Sequence, residues 1–191
     1  MSRDISRYRE TAAQVVADVS TELLHAAGPE AALRAVTSRV VELNGDREAH
    51  LVEGALKGDE RQFFIAGCFL LTPDKTEHLL VADNGFPAEQ YRLRIPVELG
   101  HPGHVYRTAK PLMLANTDEH GDFKQILKTS RMGSALYAPM VWQGRFLGQI
   151  INAAQARNTM AAPDLETLVT LTNMATAAFV ALGGFDALEL D

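Results

Sequence analysis

The sequence predicts an α+β fold in which six short strands form one sheet and helices pack together on one of its faces. Three observations carry this prediction. Apolar residues recur at helical spacing near both ends of the chain, short apolar runs separated by turn residues fill the middle, and a segment rich in glycine and proline divides these runs into two groups of three. The predicted order is two helices, three strands, a helical crossing, three strands and a helix.

Composition and charge are those of an ordinary globular domain. The 191 residues are enough for one sizeable core, and 47% of them are apolar while 22% are charged. The formal net charge of -6 argues against a nucleic-acid surface, which would carry a basic face. No apolar stretch is long enough to cross a bilayer, and the N-terminus lacks the apolar segment of a secretory signal. We therefore expect a cytoplasmic protein with no nucleic-acid or membrane partner.

Cysteine usage excludes two kinds of site. Cys68 is the only cysteine, so neither an intramolecular disulfide nor a zinc cluster built from thiolates can form. Because Cys68 lies inside an apolar run, we expect it to act as a small buried apolar residue and not as a nucleophile.

Two helices are predicted at the N-terminus. Between residues 3 and 27 the apolar side chains recur three and four positions apart, which makes one narrow stripe suited to packing against another helix. The stripe consists of Ile5, Tyr8, Ala12, Val15 and Val19. Gly28 and Pro29 end this helix and begin a second, since proline is tolerated at the first helical position. We assign residues 1–27 to an N-terminal helix that is a candidate dimerisation element, and residues 28–185 to the main domain.

The segment 46–62 has no clear periodicity. Gly54, Gly58 and the surrounding charges weaken both a helical and a strand interpretation. We expect an irregular surface excursion, or a lid, between the second helix and the first strand. At the other end of the domain, residues 186–191 follow the closing helix as a tail.

Six strands are predicted from the apolar runs in the rest of the chain. They cover residues 63–71, 78–82, 91–97, 111–115, 135–142 and 146–153. Turn residues separate several of them, and the Gln143-Gly144 pair joins the last two strands as a hairpin. A short helix is predicted over 122–130, between the fourth and fifth strands. A closing helix runs from about residue 163 to the glycine pair 183–184.

A family resemblance lies in the segment from Ile95 to Asn152, where glycines and prolines stand in a fixed order between short apolar runs. The matching positions are Gly100, Pro102, Gly103, Val105, Thr108, Lys110, Pro111, Ser134, Leu136, Pro139, Gly144, Leu147, Gly148 and Ile150, with Asp164 and Leu165 at the start of the closing helix. This pattern resembles the GAF domain, a ligand-binding and signalling module. The resemblance implies a central six-stranded antiparallel sheet, N- and C-terminal helices on one face, and a helical crossing that covers a ligand pocket.

Three well-known functions of GAF-like proteins are disfavoured. Cyclic-nucleotide-binding members carry an Asn-Lys-Phe-Asp-Glu signature, and nothing similar follows Asn152. Bilin-binding members attach their chromophore through a cysteine near the central helix, whereas Cys68 lies in the first predicted strand. Free methionine sulfoxide reductases use a set of loop cysteines that this chain lacks. The identity of the ligand therefore stays open, and no cofactor can be assigned.

Candidate ligand-binding residues come from the segments that border the implied pocket. They are His101, His104, His120, Asp122, Phe123, Arg131, Ser134 and Tyr137. Histidines suit an anionic or hydrogen-bonding ligand, because a small pKa shift changes both their charge and their donor pattern. Ser134 resembles a family position that often faces the ligand. The alternative interpretation is that these are loop, cap or core residues. A metal site from His104, His120 and Asp122 is chemically conceivable, but its spacing matches no compact ligand motif.

Three hypotheses of function follow. In the first, the chain is a sensory module that binds a small metabolite and signals through its terminal helices, as a homodimer or with a signalling protein as partner. In the second, it is an enzyme that uses the same pocket, with His104 or His120 as the proton carrier and Tyr137 or Asp122 as its helper. In the third, it is an interaction adaptor whose pocket is filled by its own side chains. A collapsed cavity together with a large helical interface would favour the third.

Overall fold

The computed structural model describes residues 3–121, 123–126 and 131–187. The helices are α1 (Ile5–Leu24), α2 (Pro29–Leu43), α3 (Gly100–Thr108), α4 (Ala162–Ala181) and the short α5 (Gly184–Ala187). The strands are β1 (Phe64–Leu71), β2 (Glu77–Asn84), β3 (Arg94–Pro96), β4 (Leu112–Leu114), β5 (Ser134–Trp142) and β6 (Arg145–Ala154).

The six strands form one sheet in the order β3-β2-β1-β6-β5-β4, and every neighbouring pair is antiparallel. The predicted α+β class and the six-stranded antiparallel sheet are confirmed. β1 and β6 lie at the centre, where Phe64 stands opposite Ala154 and Leu70 opposite Gly148. Glycine suits this last position, since a Cβ there would lie 2.3 Å from the carbonyl oxygen of Phe69.

Alternation of side chains along the strands separates two apolar layers. On β5, Leu136, Ala138 and Met140 belong to the layer that contains the buried faces of α2 and α4. Ala135 and Tyr137 belong to the other layer, together with side chains of α3 and its neighbouring loops. The sheet is therefore covered by a helical layer on one face and by α3 with its flanking loops on the other.

The first helix belongs to the helical layer. α1 packs against α2 and α4, and its buried residues Tyr8, Ala12 and Val19 are members of the predicted stripe. Near its start, the Arg3 guanidinium donates two hydrogen bonds of 2.8 Å to the carboxylate of Asp164 on α4. A role of α1 in dimerisation stays a prediction. Among the described helices, none combines the length and apolar character that crossing a bilayer demands.

The third strand is shorter than predicted. It was expected over 91–97 and is confined to Arg94–Pro96. Residues 88–90 form a 3₁₀ turn, and Arg92 has a φ of 57°, which lies outside the extended region that a strand requires. Only the last part of the apolar run is therefore free to pair with β2.

The predicted helix over 122–130 is wrong for its described part. Residues 123–126 are not helical, and residues 122 and 127–130 lie outside the described residues. Phe123 is buried in the α3-side layer, and its amide donates to the carbonyl of His120 in a turn. The segment 46–62 contains one 3₁₀ turn, at Ala49–Leu51, and no other helix or strand.

Candidate functional site

A small apolar cavity lies between the sheet and the loops that cover its α3 side. The sheet contributes Ile65, Phe69, Ala135, Tyr137, Ile151 and Ala153. The covering loops contribute Phe86, Phe123, Lys124, Ile126 and Met132. The cavity measures about 20 Å³, which is room for a single water molecule. Between these described residues, their own side chains leave little free space.

An aromatic cluster borders this cavity. The His101 ring lies at the start of α3, 6.3 Å from the Tyr137 ring and nearly parallel to it. The rings of His120 and Phe123 lie 5.7 Å and 5.8 Å from His101. The Arg131 guanidinium lies 4.7 Å from the centre of the Phe123 ring. Five of the eight predicted site residues thus meet in one place.

Close contact between two backbone segments places α3 over the sheet. A Cβ at Gly103 would lie 2.4 Å from the carbonyl carbon of Glu98, so only glycine lets the first turn of the helix pack against the preceding loop. Below the same turn, the Gln149 amide of β6 donates a 3.1 Å hydrogen bond to the carbonyl of Pro102. These contacts hold the first turn of α3, and with it His101, against the loop and the sheet.

Ser134 does not belong to this cluster, which corrects the interpretation drawn from the resemblance. Its hydroxyl accepts a hydrogen bond from the Met160 amide at 3.2 Å and donates one to the Leu114 carbonyl at 3.3 Å. Because side chains alternate along β5, Ser134 points away from the face that carries Tyr137. Its contacts are structural, between β4 and the loop before α4.

His104 and Asp122 also stand apart from the cluster. His104 is exposed on the second turn of α3. It lines a surface groove of about 300 Å³ together with Glu98, Gly100, His101, Arg107 and Lys124. Asp122 lies outside the described residues, so its predicted role stays a prediction. Among the described residues, no group of three or more histidine, cysteine or acidic side chains is arranged to hold a metal ion.

Two residues hold in place the cover of the cavity, by which we mean residues 120–121 and 123–126. Gln90 was not singled out from the sequence, and Arg131 was predicted only as a ligand-binding residue. Gln90 is buried, and its amide donates a 3.0 Å hydrogen bond to the carbonyl of Ile126. Arg131 donates from one guanidinium nitrogen to the carbonyl of Phe123 at 3.3 Å and from another to the carbonyl of Thr117 at 3.0 Å. No sequence pattern marks Gln90, because its partner lies 36 residues further along the chain.

Burial determines the chemistry of the tyrosine on the sheet. Burial raises the pKa of Tyr137 well above its ordinary value, so its hydroxyl stays protonated at neutral pH. The apolar lining from β1 and β6, such as Ile65, Phe69 and Ile151, was not predicted as part of the site. The two-residue alternation of each strand is the signal that could have identified these residues.

The sheet, the helical layer and the covered cavity define a class of small α+β modules built around one antiparallel sheet. A family model described as GAF domain matches residues 28–179. The chain therefore belongs to the GAF domain family, and the resemblance proposed from the sequence is confirmed. A comparison with curated proteins finds no match.

Solved structures share this fold. The GAF domain of a phosphoenolpyruvate-protein phosphotransferase from Coxiella burnetii is 21% identical, with a TM-score of 0.76 over 93% of this chain and 97% of that one. The corresponding domain from Acinetobacter is 16% identical, with a TM-score of 0.72 over 93% and 96% of the two chains. A free methionine-R-sulfoxide reductase from Neisseria meningitidis, solved with its substrate, is 19% identical, with a TM-score of 0.69 over 97% and 96%.

Proposed function

We propose that this chain is a sensory module that binds a small molecule between the sheet and its α3-side cover. The observation that carries the proposal is the cluster around His101, which sets polar rings against an otherwise apolar cavity. A cavity with apolar walls and a few convergent polar groups is the usual form of a small-molecule site. Membership of the GAF domain family supports the same role.

The chemistry of the walls favours a ligand with an apolar body and an anionic end. The cavity itself is apolar, whereas the adjoining groove carries His101, His104, Arg107 and Lys124. Lys124 lines both spaces, so the two lie next to each other. Since the cavity holds about one water molecule, the covering segment 123–126 has to move outward to admit such a ligand.

β5 contacts the cavity with one face and the helical layer with the other, so a displacement of this strand affects both. Tyr137 faces the cavity while its neighbours Leu136 and Ala138 pack in the layer that holds α4. A ligand that shifts β5 would therefore shift α4, provided that it binds the two positions of the strand with different affinity.

The first test is native mass spectrometry of the protein as purified, followed by thermal shift with a panel of small amphipathic acids and their neutral amides. A ligand at 100 times its Kd should stabilise the fold by about 2.7 kcal/mol. We expect Ala153→Leu to abolish the ligand-induced thermal shift, because the larger side chain fills the cavity. Lys124→Ala should weaken binding of the acids about threefold to tenfold and leave the amides unaffected.

Lys110→Ala is the matched control, because Lys110 is an exposed lysine just beyond α3 and lines neither space. It should bind both classes of compound like the unaltered protein. Absence of any bound molecule and of any thermal shift would contradict the proposal.

A second candidate function, an interaction adaptor, is favoured by the small volume of the cavity. In that case the filled space is a permanent part of the core, and the protein acts through its surface alone. The same mass spectra distinguish the sensory module from the adaptor. An adaptor would carry no small molecule, even when a partner protein is bound to its helices.

We further propose that the module is a homodimer joined through α4 and the adjacent α1. A surface helix normally carries charge on its outer face. On α4 the exposed stripe is Glu166, Thr170, Asn173, Ala177 and Ala181, and no charged residue occurs between Glu166 and Asp186. An uncharged outer face suits a second copy related by a twofold axis, which would bring the same stripe into contact with itself.

Placing a charge in that stripe should separate the protomers. We expect Ala177→Glu to shift the mass measured by light scattering or sedimentation from dimer to monomer, because two buried carboxylates would then face each other without partners. Ala31→Glu, which adds the same charge to the exposed side of α2, should remain dimeric. A monomer before any substitution would contradict the proposal.

A further inference from the structure

A buried arginine anchors the segment 46–62 to the body of the protein. The Arg157 side chain is 4% exposed and lies in the loop between β6 and α4. Its two terminal nitrogens donate to both carboxylate oxygens of Glu60, and its Nε donates to Asp118 at 2.8 Å. The backbone adds a second connection, from the Arg157 amide to the carbonyl of Ala55 at 2.9 Å.

Asp118 is the point where three separate segments meet. Besides Arg157, its carboxylate contacts Lys57 Nζ at 2.6 Å and Arg131 Nε at 3.7 Å. The hydrogen bonds from Arg157 and Lys57 lower the pKa of Asp118 to about 2, so the carboxylate is charged at neutral pH. Lys57 belongs to the segment 46–62, whereas Arg131 contacts the cover of the cavity through Phe123.

Arg131 continues the network to the cavity wall. It donates to the carbonyl of Phe123, and its guanidinium packs against the ring of the same residue. Phe123 in turn lines the cavity. A continuous series of charged and aromatic contacts therefore joins Lys57 and Glu60 on the surface to the cover of the cavity. Open polar clefts of about 580 and 540 Å³ flank Lys57, so solutes and partners can reach this end.

We propose that Asp118 couples the segment 46–62 to the cover of the cavity, so that release of either one loosens the other. Residues 46–62 then regulate the cover, because displacement of Lys57 or Glu60 from this network promotes its opening. The coupling is a property of the unliganded protein, and only its regulatory meaning rests on the proposed ligand-binding function. Such a coupling requires that both ends bias one shared element, which here is the Asp118 carboxylate.

Hydrogen exchange measured by mass spectrometry or NMR on the full unliganded chain tests this coupling. In the segment 46–62, the hydrogen-bonded amides of Ala55 and Glu60 report local opening, and in the cover those of His120 and Phe123 do so. Glu60→Gln removes a partner of Arg157. We expect the amides of His120 and Phe123 to exchange about threefold to tenfold faster in this variant, along with those of the segment itself.

Two comparisons make the result specific. Glu77→Gln makes the same change at another ion pair, with Arg94 at the other edge of the sheet, which is more exposed than the pair of Arg157 and Glu60. It should leave the cover amides unchanged. In an Asp118→Asn background, the cover should already exchange faster, and adding Glu60→Gln should have no further effect on it. Faster exchange confined to 46–62, or an equal increase at central amides such as that of Ile151, would overturn the proposal. Failure to find a ligand would leave this result intact.

Discussion

Replacing Asp164 with alanine is expected to lower the free energy of unfolding by about 3 kcal/mol or more. The carboxylate is fully buried at the start of α4 and accepts four hydrogen bonds. Two come from the Arg3 guanidinium, and the other two come from the backbone amides of Gly45 and Ala161, each at 2.8 Å. Alanine would leave both amides without this acceptor, and each unsatisfied buried group costs about 1–3 kcal/mol.

The position of Asp164 makes the effect larger than that of an ordinary ion pair. It ties the start of α1, the turn after α2 and the first turn of α4 into one junction. Tyr8 supports the same junction, since its hydroxyl lies 2.9 Å from Asn44 Oδ1 and 3.0 Å from Thr167 Oγ1. The side chain of Arg3 is 17% exposed and can turn toward solvent when its partner is lost, so the backbone amides account for most of the cost.

Denaturant unfolding of Asp164→Ala, Tyr8→Phe and Glu42→Ala measures these contributions. Glu42 lies near the end of α2, outside the proposed dimer contact, and forms an exposed 3.4 Å ion pair with Arg39, so its removal should change stability by less than about 0.5 kcal/mol. Tyr8→Phe should cost about 1 kcal/mol. If Asp164→Ala proved as mild as Glu42→Ala, the junction would not be a determinant of stability.

The second large effect concerns pH and originates in His78 of β2. Its ring is fully buried, with Nε2 3.4 Å from the Gln149 amide nitrogen and its edge against the rings of Tyr106 and Phe146. Burial lowers the pKa of His78 to about 4, although Glu98 before α3 opposes that shift. The folded protein therefore keeps this imidazole neutral, whereas the unfolded chain takes up a proton near pH 6.5.

His78 therefore makes the folded state less stable as the pH falls. The contribution of His78 is fully present above pH 6.5 and is lost as the pH falls toward 4, because only the unfolded chain binds the proton in that interval. Its size is on the order of 3 kcal/mol. His78→Leu should remove this part of the slope when unfolding is measured between pH 7.5 and 4.5, and His78→Gln provides a second variant without a titrating ring. Equal slopes with and without the histidine would contradict the assignment.

Some of the site could be predicted from the strands alone. The parity of β5 places Tyr137 and Ala135 on one face and Ser134 on the other, since alternation is a local property of an extended chain. The choice of Ser134 rests on the family resemblance and not on this alternation, and the structure places its hydroxyl between Leu114 and Met160, away from the cavity. The cover was less predictable. Phe123 is buried there without a helix, because its burial comes from packing against His101 and Arg131 and not from a helical stripe.

The sequence by itself determined the α+β class, the two helical ends and the succession of strands, because hydrophobic period and turn residues act over a few neighbouring positions. Only the tertiary structure decided how far the cavity closes, that His78 is buried, and that Arg157 joins Glu60 to Asp118. Each of these depends on side chains that are brought together from distant segments. The geometry of these contacts is set by the packing of the whole core, and a local sequence pattern does not predict it.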